Sequence, residues 1–117
     1  MAFSELEESK ADEITAEFIE RRRPPADVRD QLDIAHRIDS KNQSVHVYEI
    51  RPHWKDDDDK LETPVAKVTY VRSREKWKLY WIRADGEWHP YDPDAEVDEL
   101  EEALDVIDED ELCCFWG

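Results

Sequence analysis

Three spacings of apolar residues succeed one another along the chain. Near the start, Ala11, Ile14 and Phe18 fall three and four residues apart, a single stripe on a helix. Ser4 with Glu7 fits a capping box, and Ser9 with Asp12 is a looser version of the same signal. Arg21, Arg22 and Arg23 suit the negative end of a helix dipole, and Pro24-Pro25 stops the run. The pattern predicts a helix over residues 4–23, with "ADVRDQL" adding a short helical turn. From residue 32 the period shifts to two. "LDIAHRID" and "SVHVYEI" flank a hairpin loop at 40–43, and "PVAKVTYV" and "KWKLYWI" flank Ser73-Arg74-Glu75. "EWHPY" follows Asp85-Gly86, read as a two-residue primed turn that needs positive φ. Between the second and third of these strands lies a long polar connection, "RPHWKDDDDKLETP". The helical period then returns: Val97, Leu100, Leu104 and Ile107 form a stripe with acids on every other face, predicting a helix over 96–108 and a tail over 109–117.

These elements make an α+β fold: an N-terminal helix, a five-stranded antiparallel meander within residues 32–91, and a C-terminal acidic amphipathic helix whose apolar tail packs on the sheet. With 117 residues the chain is read as a single domain, 1–117. Period-two reading gives the sheet two unlike faces. Trp77, Leu79 and Trp81, with Ala66, Val68 and Tyr70, form a plain core face that the helices should cover. The other face mixes Lys67, Thr69, Val71, Lys76, Lys78, Tyr80 and Ile82. A two-residue turn would set Tyr80 opposite Tyr91 and Ile82 opposite His89, bringing both to this mixed face.

Charge changes the picture. The net charge is −16, unevenly placed. Residues 84–117 hold 14 acids and no Lys or Arg, whereas residues 1–83 hold 18 acids against 16 bases. The acidic third either covers basic surface of its own fold or repels polyanions while attracting a basic partner. The basic-aromatic interleaving of "KVTYVRSREKWKLYWIR" could stack single-stranded bases, but the net charge argues for aromatics in the core, cations paired with the acidic helix, and no binding to generic nucleic acid at physiological salt. Five Trp, four Tyr and three Phe supply burial units enough for a folded domain. The start of the chain does not read as a signal peptide, no apolar run approaches a membrane span, and adjacent Cys113 and Cys114 suit a reduced, cytoplasmic protein.

Candidate chemistry is sparse. Asp56 to Asp59 read as a solvated loop; a hard-cation loop would space its carboxylates and include a Gly. Asp-Asp-Asp-Asp-Lys is also the recognition sequence of a tag-removing protease, but here it lies mid-chain. None of His36, His46, His53 and His89 pairs with another or with Cys at zinc-ligand spacing, so no metal and no cofactor is expected. Glu49, Arg51 and His53 are the candidates for a catalytic role, because metal nucleases often place a strand carboxylate two residues before a Lys; Arg51 in that position cannot act as a base.

Several stretches together carry a resemblance: "RRRPPADVRDQLD", "VYEIRPHW", "ETPVAKVTYV", "WKLYWIRADGEWHPY" and the ending "VIDEDELCCFWG". In order and spacing the chain resembles a bacterial family, domain-of-unknown-function family 3024, over nearly its whole length, with Cys113 and Trp116 as local variants. The resemblance implies a small stand-alone bacterial protein whose tail belongs to the domain, and it carries over no catalytic residue. The leading expectation is a non-enzymatic interaction module, of inhibitor, immunity or adaptor type, for a basic or nucleic-acid-handling protein. Its partner-binding candidates are Arg51, His53, Trp54, Lys78, Tyr80, His89 and Tyr91. The alternatives are a small metal-dependent hydrolase or nuclease around Glu49, and a single-stranded nucleic-acid binder on the mixed sheet face. A continuous acidic face would speak for the first, a cleft of convergent carboxylates and His for the second, and an uncovered basic-aromatic groove for the third. Leu112, Phe115 and Trp116 are expected to fold back onto the domain, with Asp108–Glu111 left in water.

Overall fold

Ser4 opens the first helix as the sequence predicts. Its Oγ accepts from the Glu7 amide (3.1 Å) while its own amide donates to Glu7 Oε1 (2.9 Å), a reciprocal capping box. The computed structural model describes residues 2–52, 60–91, 95–110 and 115–116. Helix α1 (Glu5–Arg22) is followed by a 3₁₀ turn (Ala26–Val28) and strands β1 (Asp33–Asp39), β2 (Ser44–Pro52), β3 (Lys60–Val71), β4 (Lys76–Ile82), β5 (Trp88–Pro90) and β6 (Glu96–Val97); helix α2 (Leu100–Glu109) closes the order. The sheet runs β1-β2-β3-β4-β5, every pairing antiparallel, and β6 pairs with the stretch of β4 that β5 leaves open.

Both helices lie on one face. Ala11 and Phe18 of α1, and Leu100, Ala103, Leu104 and Ile107 of α2, share a core with Ile34, Val45, Val47, Val68 and Leu79. Thr15 is fully buried in the same stripe because its hydroxyl donates to the Ala11 carbonyl (2.8 Å), which removes the cost of an unpaired polar group. The Arg run at the end of α1 straps this layer down. Arg23 grips Asp33 through two parallel bonds of 2.9 Å, and Arg22 reaches Asp108 of α2 at 2.6 Å.

Four details differ from the sequence reading. First, the β4–β5 hairpin loop has three residues. The Gly86 amide donates to Arg83 O (2.8 Å), Gly86 sits at φ +79°, and the Arg83 amide donates to Glu87 O (3.1 Å). One extra loop residue slips the register by one, so Tyr80 faces Pro90, Trp81 faces His89 and Ile82 faces Trp88. The slip turns each β5 side chain to the opposite face. Second, β2 and β3 extend into the expected polar connection, pairing Arg51 with Leu61 and Pro52 with Lys60. Pro52 is tolerated because β1 ends opposite Ile50, leaving β2 an edge strand there. Third, Val97 belongs to β6, and α2 begins at Leu100. Ala103 completes the stripe that Val97 was expected to start. Fourth, β3 carries one residue more than β2 between the Val47–Ala66 and Tyr48–Pro64 pairs, a bulge at Val65 that buries Val65 and Ala66 side by side.

The end of the chain turns inward. Phe115 is buried and its ring lies 5.0 Å from that of Tyr91. Trp116 donates its indole N–H to the Ile107 carbonyl (2.8 Å), and Arg22 stacks over its ring at 4.1 Å. Asp110 is not an idle solvated acid. It holds the left-handed C-cap of α2 (φ 44°), and its carboxylate accepts the amides of Phe115 (3.0 Å) and Trp116 (2.9 Å). Leu112, Cys113 and Cys114 lie outside the described residues.

Candidate functional site

Placing both helices on one side gives the molecule two distinct surfaces. On the helical side, α1 and α2 leave a groove of about 700 Å³ between them. Ile14, Ala16 and Leu104 line it with Glu13, Glu17, Glu20, Glu101 and Asp105, and Arg21 is the one basic residue among the described lining residues. The acids come together because each helix turns its apolar stripe to the core, which leaves the neighbouring faces, almost wholly acidic, to meet along the seam.

The opposite side of the sheet has no helix over it among the described residues. One row of cross-strand partners reads Arg37, His46, Lys67, Tyr80 and Pro90 from β1 to β5. Tyr48, Trp88 and Lys78 lie beside this row on the same face. Cations and rings interleave closely: Arg37 stands 4.9 Å from the Tyr48 ring, Lys67 4.6 Å from Tyr80 and 5.5 Å from Trp88, and Lys78 5.5 Å from Tyr80. His46 meets Trp88 edge-on at 6.0 Å. Burial, and then the neighbouring Lys67 ammonium, push the His46 pKa below its ordinary value. Burial also lowers that of Lys67. Among the described residues, Lys and Arg pair with the acidic C-terminal third at the margins, in Arg22–Asp108, Arg74–Glu96 and Lys76–Asp98.

The sequence candidates are divided among several places. Lys78 and Tyr80 are on the open sheet face. The one-residue slip moves His89 and Tyr91 off it. Tyr91 is 2 % exposed within the core, and His89 bonds Asp85 at 2.9 Å beside the hairpin turn. Arg51 stands on the helical side and pairs with Glu49 at 3.2 Å, so the Glu49 carboxylate is already engaged. His53, Trp54 and the Asp56–Asp59 run lie outside the described residues. Sequence reasoning passed over Arg37, His46, Tyr48 and Trp88 as binding candidates, and placed Lys67 on the mixed face without singling it out. For Trp88 the missing signal was turn length; the meander order of β1, β2 and β3 was expected, but the side-chain alternation of β1 and β2 was not sorted by face, which left Arg37 and His46 unassigned.

Among the described residues, Asp85, Glu87 and His89 are the group whose ligand atoms lie close enough to share a metal ion, all within 4.8 Å of one another. Their present work is local. Asp85 accepts the Glu87 amide (2.9 Å) as well as bonding His89, and these bonds lower its pKa, the amide bond first. The trio closes the hairpin turn and is largely in water.

Residues 3–117 match the family described as domain of unknown function (DUF3024). The chain belongs to the DUF3024 family. The match spans both helices, the whole sheet and the inward-turned tail, so the two surfaces lie within one family unit. No curated protein and no solved structure matches this DUF3024 chain. No helix among its described residues is long and apolar enough to cross a membrane.

Proposed function

We propose that this protein is a non-enzymatic interaction module that docks a basic amphipathic segment of a protein partner in the groove between α1 and α2. The observation behind this reading is the continuous acidic lining, Glu13, Glu17, Glu20, Glu101 and Asp105, set around Ile14, Ala16 and Leu104. A basic helix with one apolar face complements both features, its aliphatic side chains entering the seam and its Lys and Arg meeting the rim. Long-range attraction by a chain of net charge −16 would speed the encounter. The setting is the cytoplasm, where adjacent Cys113 and Cys114 stay reduced.

The test is fluorescence anisotropy with a labelled Lys- and Arg-rich amphipathic peptide, compared with a scrambled peptide of identical composition. The amphipathic peptide should bind at least tenfold more tightly, and Glu17→Lys with Glu101→Lys should abolish the difference. Equal binding of the two peptides would show that only bulk charge is being read and would overturn the groove reading.

A further inference from the structure

We propose that the open sheet face is a second binding site, on the side away from the helical groove, and that its ligand is single-stranded nucleic acid. The face has the two components such a ligand needs. Tyr48, Tyr80 and Trp88 offer rings on β2, β4 and β5, and Arg37, Lys67 and Lys78 stand 4.6–5.5 Å from those rings. A long cationic side chain resting on a ring can pivot to a phosphate while a base takes its place on the π-face, a sequence-tolerant mode of binding. An acidic polypeptide would use the cations and leave the rings idle, so the aromatic content selects the nucleic acid. Duplex would hide its bases from the rings.

The overall charge of −16 argues against any polyanion, and the distribution of that charge answers the objection. The central cross-strand row, Arg37–His46–Lys67–Tyr80–Pro90, contains no acid. The acids at its margin are Glu62, paired with Arg37; Glu96, which lies across from Lys78 and pairs with Arg74; Asp98, paired with Lys76; and Asp39, whose carboxylate accepts from the neutral Asn42 amide and keeps its charge. Lys67 and Lys78 are in no ion pair among the described residues. The acids of the helical groove lie across a helix-and-sheet double layer. The shortest principal dimension of the molecule is 23 Å, and physiological salt screens beyond about 8 Å.

The experiment is a fluorescence titration with labelled 12-nucleotide oligothymidine and oligouridine, alongside a duplex of equal length and polyglutamate. Single strands should bind most tightly. With Arg37 held by Glu62 and Lys67 and Lys78 left to meet phosphates, log affinity should fall with log salt at a slope of about −1.4. Lys67→Ala with Lys78→Ala should weaken binding at least tenfold and flatten that slope. Trp88→Leu should weaken binding about tenfold with the slope unchanged, which a purely electrostatic surface would not show. Tyr48→Leu is the companion variant, and circular dichroism verifies that each variant is folded. Glu17→Gln with Glu101→Gln, which addresses the helical groove, should leave oligonucleotide binding unchanged, so the two sites fail or stand separately. Absence of binding at about 50 mM salt, duplex binding equal to single-strand binding, or equal affinity for polyglutamate would each overturn the proposal.

Discussion

Glu7 closes two structures at once. It completes the N-cap of α1 and receives two bonds from Arg72, of 3.0 and 2.9 Å, which tie the helix to the far end of β3. The Arg72 guanidinium, with the Ser4 amide, holds the Glu7 pKa down to about 2 from an ordinary 4.5. A carboxylate whose folded pKa is depressed adds stability that is fully present above the unfolded value and lost as pH falls through the folded one. For Glu7 the window is therefore pH 4.5 down to about 2. Glu7→Gln should lower the melting temperature at pH 7, with the deficit shrinking across that window and gone near its lower end; melts at three pH values check this. A deficit independent of pH would assign the effect to helix capping alone. The capping half of this arrangement was legible in "SELE", because Ser and Glu three apart report a local geometry. The Arg72 half was not, because it spans 65 residues and no local pattern encodes it. Gly86 shows the same limit at a turn: its need for positive φ was readable, but not whether the loop held two residues or three, and on that one residue the faces of Trp88, His89 and Tyr91 depended.

At the scale of elements, α2 and the segment after it act as one unit. The helix stops at Asp110 because that residue turns left-handed, and the same side chain then captures the returning amides of Phe115 and Trp116. Phe115 fills the space beside Tyr91 and Trp116 closes over the helix end under Arg22. Phe115→Ala should cost about 3 kcal/mol, in the range for a buried aromatic truncated in a core. Asp110→Ala should cost roughly 1–2 kcal/mol, since it strands two amides and removes a side chain suited to that turn. Asp108→Ala should cost less, because its bond to Arg22 is in water. Urea unfolding of the three variants tests the order; if Asp108→Ala is the most damaging, the helix-to-helix strap and not the Asp110 capture holds the tail. That the tail packs inward was legible from its apolar content. The work of Asp110 was not, because one acid in the run 108–111 looks like any other until the path of the chain selects it.

At the scale of the molecule, the burial pattern sorts charge by layer. The alternation of β3 and β4 and the stripes of α1 and α2 were readable, and they dictate two layers with one shared core. They could not show that the acids of α1 and α2 would converge, since that depends on how the helices lie side by side. The convergence has an energetic consequence. Glu13, Glu17, Glu20, Glu101 and Asp105 line one groove with Arg21 as the single cation among its described lining residues, so like charges share the seam. Acids there would oppose folding slightly while preparing a surface for a basic ligand, the usual tension between a binding site and stability. Glu17→Gln with Glu101→Gln should therefore raise stability by a few tenths of a kcal/mol to about 1 kcal/mol, the scale of exposed charge interactions. The gain should fade as salt shortens the range of repulsion, while affinity for the basic peptide falls. Thermal melts at low and high salt, read beside the peptide titration, separate the possibilities. A variant that loses stability would mean that these acids answer cations within the fold. The groove would then be a structural seam, and the open sheet face would be left as the binding surface.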